Sequence, residues 1–292
     1  PVVASRPGEF TAAETSVCRG GTGYVYTVPL VSGVTYTWSY TGTGHTINGS
    51  GNSVTLDFSA GATSGTLSVT ATNACGTSIA RTVDITVRVA SFAYTGSPYC
   101  QNGVDPIPVL DPGGVAGTFT STPGLVFLNS ATGLIDLSAS RSGTYTVTNT
   151  LDVSVCGGMT ATATVTVAGE TWNGSAGSAW NNPANWSCGF VPYPGTEVLI
   201  PDVAIEPVIT SGVTGEAGDI VVASGSSLTV SGGTIRIYGT VSGIGFLNAS
   251  AGTVEFCGSA PQVVPGGIFA SDMVMNFTVS NASGVALAGP VN

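Results

Sequence analysis

The residues of this chain with the most reactive chemistry are six cysteines, Cys18, Cys75, Cys100, Cys156, Cys188 and Cys257, and one histidine, His45. A zinc or redox site draws its thiols from close spacings such as CxxC, or from cysteines partnered by histidines. None of the six has such a neighbour, so no metal ligand and no cofactor is expected. The remaining chemistry is pairing, and six cysteines permit fifteen pairings. Spacing favours one of them. Cys18 precedes Cys75 by 57 positions, Cys100 precedes Cys156 by 56, and Cys18 lies 82 positions before Cys100. Bridges Cys18–Cys75 and Cys100–Cys156 would each close one repeat and leave Cys188–Cys257 for the remainder. The alternative is six reduced thiols in a cytosolic protein; an even count that keeps step with a repeat argues instead for an oxidising compartment.

Hydrolytic chemistry has candidates but no constellation. Glycosidases need two carboxyl groups roughly 5 to 9.5 Å apart, and the last third offers Glu197, Asp202, Glu206, Glu216, Asp219, Glu255 and Asp272. Lyases on β-helical scaffolds also need a cation against the developing anion, and Arg236 is the one arginine there. His45 sits in the turn-like stretch "TGTGHTINGSG" with no nucleophile beside it, so a triad is not expected. Asp105 and Asp111 lack the spacing of a calcium loop. No catalytic residue is assigned, and the chain is expected not to be an enzyme. Trp172, Trp180 and Trp186 fall within fifteen positions and admit two roles. They could stack on sugar rings as a glycan-binding surface, or plug the end of an apolar core.

The elements that position these residues are strands. "GTLSVTAT" from Gly65 is echoed by "GTYTVTNT" from Gly143, and "NACGTSIARTVDITV" by "SVCGGMTATATVTV". In the first copy Ile79, Arg81, Val83, Ile85 and Val87 share one side of a period-two ribbon, which predicts a strand with one buried face. Two strands and a cysteine therefore recur together as a tandem repeat. In "VTYTWSYTG" the single tryptophan, Trp38, is expected to pack between two sheets. The chain holds 42 glycines and 16 prolines between short alternating runs, the punctuation of many strands joined by turns. No amphipathic helical pattern is evident, and the class is all-β.

Four segments follow. Residues 1–15 are expected as a linker or the tail of a preceding module, 16–90 as one β-sandwich, and 91–168 as a second. From 169 to 292 the texture changes to apolar doublets at i and i+2 with Gly, Ser or Asn corners, such as "SLTVSG", "TIRIYG" and "GTVEFCG". Strands this short bury little alone and need stacked neighbours, which predicts a β-solenoid. That module is expected to be truncated, and the chain to be a piece of a longer polypeptide.

Composition narrows the function. Charged residues make up 8%, lysine is absent, and net charge is −10, so binding to nucleic acid is excluded as an expectation. No apolar run reaches the roughly 18 residues of a membrane-spanning helix.

The stretch "SPYCQNGVDPIPVLDPGGVAGTFTSTPGLVFLNSATGLIDLSASRSGTYTVTNT" and the "YTWSYTG…NACGTS" pattern before it resemble the PKD-like and immunoglobulin-like repeats of large cell-surface adhesins of Bacteroidota, including the gliding-motility adhesins exported by the type IX route. "TWNGS…W…NWSCGFVPYPGTEVLIPD" is similar to the start of β-helical modules in such chains. The resemblance implies an extracellular protein on a bacterial surface, with neighbouring modules as its partners and a role in adhesion, motility or filament building. A glycan-binding module of a secreted polysaccharide-degrading protein is the second expectation, and self-assembly or a surface polysaccharide are the further partners expected of the chain.

Overall fold

The structure, a computed structural model, describes residues 2–291 and is all-β: two β-sandwiches followed by a parallel β-solenoid.

The first sandwich contains β1 (Ser16–Cys18), β2 (Tyr24–Thr27), β3 (Thr35–Tyr40), β4 (His45–Asn48), β5 (Ser53–Phe58), β6 (Gly65–Asn73), β7 (Gly76–Thr77) and β8 (Arg81–Arg88). One sheet runs β1-β8-β6-β3, with β7 on β6; the other runs β2-β5-β4. Every pairing is antiparallel except β1 with β8, which is parallel and sets Cys18 opposite Arg88. Alternation works as the sequence predicts at the far half of β8, where Ile85 and Val87 are buried with Val17, Tyr26, Leu56, Phe58 and Leu67. Ile79, ahead of β8, is exposed, and at the start of the strand Arg81 holds Glu9, from the chain before β1, at 2.6 Å. Trp38 lies at the core's margin against Phe10, its indole N–H donating to Gly51 O at 2.9 Å, while Tyr26 and Phe58 fill the centre.

The segment 1–15, expected as a linker, is instead part of this sandwich over its described residues. Asn73 Nδ2 donates to Val2 O at 2.9 Å, Arg6 to Ala80 O at 2.9 Å and Arg81 to Pro7 O at 3.2 Å. Thr11 and Thr27 then join by backbone at 2.8 Å. The chain thus travels beside β8, in the same direction, before becoming β1. Its prolines and glycines break the period-two pattern without preventing the association.

The second sandwich repeats the plan with β9 (Phe92–Ala93), β10 (Tyr99–Cys100), β11 (Val109–Leu110), β12 (Thr118–Ser121), β13 (Val126–Asn129), β14 (Leu134–Asp136), β15 (Gly143–Thr150), α1 (Val153–Cys156) and β16 (Thr160–Ala168). Its main sheet is β10-β16-β15-β12, again with the cysteine-bearing strand parallel to the last one, Cys100 opposite Ala168. Phe92, Phe119, Ile135, Leu137, Val147, Val165 and Val167 form the core. Asn149 occupies an apolar position of β15 and is fully buried. It is satisfied three times, by Ala90 O and Val115 O at 2.8 Å and by the Gly117 N–H at 2.8 Å. A buried amide without those partners would cost several kcal/mol.

The solenoid has β17 (Glu170–Thr171), β18 (Val198–Ile200), β19 (Val208–Thr210), β20 (Thr214–Ala217), β21 (Ile220–Val222), β22 (Ser227–Ile237), β23 (Val241–Gly243), β24 (Phe246–Phe256), β25 (Gln262–Val264), β26 (Phe269–Val279) and β27 (Val285–Leu287). All of its strand pairs are parallel. Val198, Ile220 and Val241 stack on one wall, Leu228, Leu247 and Phe269 on another, and Ile235, Val254 and Phe277 beyond the corner. Each rung therefore adds its inward side chains to one continuous column. Outside the column Glu216, Arg236 and Glu255 fall in register on successive rungs; the Arg236 guanidinium donates to Glu255 at 2.8 Å and lies 4.0 Å from Glu216.

Candidate functional site: the stapled junctions

The structure places the three tryptophans at the beginning of the solenoid column. Trp172 and Trp180 are 0% exposed and Trp186 2%. Trp186 meets the other two edge-on, at centroid distances of 5.0 and 4.8 Å. The indole N–H of Trp172 donates to Ile205 O at 2.7 Å, and that of Trp186 to Trp180 O at 2.8 Å. Stacking on a sugar needs an open ring face, and none is offered; of the two roles expected for these residues the structure contradicts the glycan surface and shows the plug of the apolar core. The 3₁₀ turn Pro183–Asn185, whose Asn185 is buried and donates to Ala179 O at 2.9 Å, holds the loop that carries them.

His45 packs edge-on against Tyr40 at 4.9 Å on β4. Asp105 accepts the Leu137 N–H at 2.8 Å, a loop-fixing contact. Among the described residues no group of three or more metal-ligating side chains occurs. Glu255 accepts from Arg236 and, at 2.6 Å, from Ser280, and both hydrogen bonds hold its carboxyl below the usual range.

The cysteines carry the main correction. The bridges are Cys18–Cys156 and Cys100–Cys188, with Cα separations of 5.5 and 6.0 Å, while Cys75 and Cys257 are free thiols. The expected pairs Cys18–Cys75, Cys100–Cys156 and Cys188–Cys257 do not form. The reason lies in strand direction. Parallel pairing carries Cys18 along β8 to its last residue, the trailing end of the first sandwich. Cys75 lies in the turn before β8, at the leading end. The length of β8, Arg81–Arg88, intervenes, roughly 23 Å for its seven steps of about 3.3 Å, against the Cα separation of about 4.4 to 6.8 Å that a disulfide spans. The same holds for Cys100 and Cys156 at opposite ends of β16.

What meets instead is the trailing end of one module and the leading end of the next. At the first junction α1 presents Cys156 to Cys18. Asp152 caps α1 by accepting the Ser154 N–H at 2.8 Å, and Gly157 ends it in the left-handed region. Val89 bonds Gly113 O at 3.0 Å and is bonded by Val115 at 2.9 Å. Gly113 has φ +79°, and a Cβ there would meet Val87 O at 2.3 Å, so only glycine lets this loop rest on the first sandwich.

The second junction is the more polar. Gln101, next to the bridge and nearly buried, donates to Ser140 O at 2.8 Å and accepts the Glu197 N–H at 2.9 Å, tying the sandwich to the solenoid. The Glu197 carboxylate reaches back to the Ser142 N–H at 3.0 Å, and Arg141 lies 3.8 Å from Glu197 and 3.3 Å from Asp219. A groove of about 630 Å³ opens along this seam, bordered by Thr144, Thr166, Glu170 and Asp219. Glu170 itself is buried beside the bridge. One carboxylate oxygen accepts the Cys188 N–H at 3.0 Å, and the other has no partner. Burial therefore raises its pKa, outweighing the hydrogen bonds that pull it down.

Residues 3–85 match the family model of the PKD-like domain. Residues 171–250 match a domain of unknown function. No curated protein is significantly similar to the chain. Solved structures with local similarity include a chimeric titin fragment carrying a decorin peptide, at 21% identity over 57% of this chain and 100% of that one, TM-score 0.23. An I-band fragment of titin has 14% identity over 57% and 68%, TM-score 0.27. A glucan-utilisation protein of Bacteroides ovatus, solved with a mixed-linkage heptasaccharide, has 17% identity over 57% and 47%, TM-score 0.17.

Two outcomes test these assignments. Trp172→Ala should destabilise the solenoid by about 3–5 kcal/mol, the range for emptying a large aromatic site, read as an early transition in urea unfolding; a stable variant would show that the ring is not core. For Glu170 the native pKa lies above the unfolded value near 4.5. The native state thus binds the extra proton, and stability falls as pH rises from about 4.5 through the native pKa. Glu170→Gln should abolish that decline in a pH series of melting temperatures, and an unchanged slope would refute the assignment.

Proposed function

We propose that this chain is a structural segment of an extracellular repeat adhesin or surface filament, a stiff stalk on a bacterial surface that serves attachment or gliding rather than catalysis. The observation that carries the proposal is the pair of bridges at both junctions. A staple between modules adds little to either module's own core, but it removes the hinge that a lone peptide link would leave. Disulfides persist in oxidising surroundings outside the cytosol, and the absence of lysine removes one of the two residue types after which trypsin-like proteases cleave. No helix among the described residues is long and apolar enough to cross a membrane, and the proposal needs none. Export by the type IX route belongs to the same reading through the sequence resemblance. The alternative, a glycan-binding module, has lost the three tryptophans that were to carry it.

The two bridges overlap, since Cys100 lies inside the Cys18–Cys156 loop and Cys188 outside it. Under tension the force passes from Cys18 directly to Cys156, so the 138 positions between them stay hidden even when both sandwiches unfold. At roughly 3.3–3.6 Å per extended residue, breaking the bridges should release roughly 450–500 Å of additional chain. Single-molecule pulling of the chain with and without a thiol reductant measures this. Equal contour lengths in both conditions would sink the stalk proposal.

A further inference from the structure

The two bridges obey one rule. The strand paired in parallel with a sandwich's last strand brings a cysteine to the trailing end, and that cysteine joins a cysteine beside the point where the chain enters the next module. Cys156 sits on α1, just before β16, at the leading end of the second sandwich. Cys188 sits at the start of the solenoid, its N–H on Glu170 at 3.0 Å. The two acceptors belong to different folds, so the rule concerns position along the stack and not one module's sequence.

Cys75 occupies the same position in the first sandwich. It lies in the turn between β6 and the short β7, ahead of the last strand, and Cys156 ends α1 in the connection between β15 and its last strand β16. The chain enters the module beside it: Asn73 donates to Val2 O at 2.9 Å and accepts the Cys75 N–H at 2.8 Å, while Val3 lies 3.4 Å from where a Gly76 Cβ would be. Apolar side chains flank both sites. Val153 and Val155 stand exposed next to Cys156, and the Val155 carbonyl touches Cys18 Sγ at 3.1 Å. Val2, Val3 and Ile79 stand exposed next to Cys75. Cys75 is partly exposed and free.

We infer that Cys75 is the acceptor of a third inter-module bridge, and that its partner is the trailing-end cysteine of another β-sandwich docked on the leading end of the first. The partner cysteine first forms a mixed disulfide with an oxidant, a small-molecule or protein disulfide. The Cys75 thiolate then attacks the partner sulfur, the new S–S bond forms, and the oxidant leaves as a thiolate. Overall two thiols lose two protons and two electrons, and one oxidant disulfide is reduced to two thiols. Cys257 has no equivalent in this scheme. It follows β24 midway along the solenoid, and burial followed by the charge of Glu255 pushes its thiol up to about 11.

The inference rests on the multi-module reading above, and one experiment separates the two. Polypeptide isolated from its cells is treated with iodoacetamide before any reduction, digested with an endopeptidase that cleaves after both aspartate and glutamate, so that Cys18, Cys75, Cys100, Cys156 and Cys188 fall in separate peptides, and mapped by mass spectrometry. The expected result is the Cys75 peptide joined by a disulfide to a peptide from outside residues 1–292, with Cys18–Cys156 and Cys100–Cys188 intact. Cys75 recovered alkylated, or joined to Cys257 or to a second Cys75, overturns the inference while the intact inter-module bridges leave the stalk reading standing. Loss of those two bridges as well would remove the stalk reading itself. In a second measurement residues 1–90 are placed ahead of the complete chain, with the added copy's own Cys75→Ser, and oxidised in glutathione. Linkage of the added Cys18 to the chain's Cys75 supports the inference; glutathione on both cysteines contradicts it.

Discussion

The parallel pairing of the first edge strand with the last strand is the constraint from which the covalent architecture follows. An antiparallel edge strand would return its far end to the leading side of the module. A parallel one arrives at the trailing side, and the chain before it must first run the length of the sheet, as residues 2–15 do beside β8 and residues 89–98 do before β10. A cysteine closing such a strand lands where the polypeptide leaves for the next domain. The turn before the last strand lies at the other end by the same geometry. Each sandwich thus offers one thiol forward and one backward, and stacking makes them meet.

The second junction shows that the device does not depend on the acceptor's fold. The solenoid has neither the turn nor the last strand that present Cys156, yet it offers Cys188 from the loop that also delivers its three buried tryptophans. Those rings anchor the loop to the column, so the thiol is held by the solenoid's own core. Around it the polar contacts run in both directions: Gln101 reaches into the solenoid, and Glu197 reaches back to Ser142. Arg141 is mostly exposed, and ion pairs of that kind contribute no more than about 1 kcal/mol. The rigidity of the junction therefore resides in the bridge and the buried amide of Gln101, and the surface charges add orientation.

Much of this was legible in the sequence. Alternation marked β6, β8, β15 and β16, the repeat phase separated the two sandwiches, and the doublets with polar corners pointed to stacked short strands. What was hidden was direction. "SVC" and "PYC" read as short strands, but three residues carry no sign of whether their neighbour runs with them or against them. The even spacing of the cysteines then suggested bridges inside modules, although the same spacing arises whenever each module contributes one forward and one backward thiol. Once the direction is known length decides the matter, because two cysteines at opposite ends of a strand of eight or nine residues are too far apart to be bridged. The burial of Asn149 has no local sequence signal for a different reason: its partners, Ala90 and Val115, lie far away in sequence.

Where a disulfide falls decides what it resists. Inside a sandwich, a bridge would restrict the unfolded chain and leave the link between sandwiches free to bend about its few rotatable bonds. Placed between modules, it gives each junction a second covalent attachment beside the peptide link. Two attachments leave rotation about the line joining them, and the remaining freedom is taken up by packing such as Gly113 on Val87 and by the Gln101 hydrogen bonds. Each sandwich keeps its own apolar core, and the solenoid has another. Folding is therefore supplied module by module while the sulfurs act on the arrangement of modules.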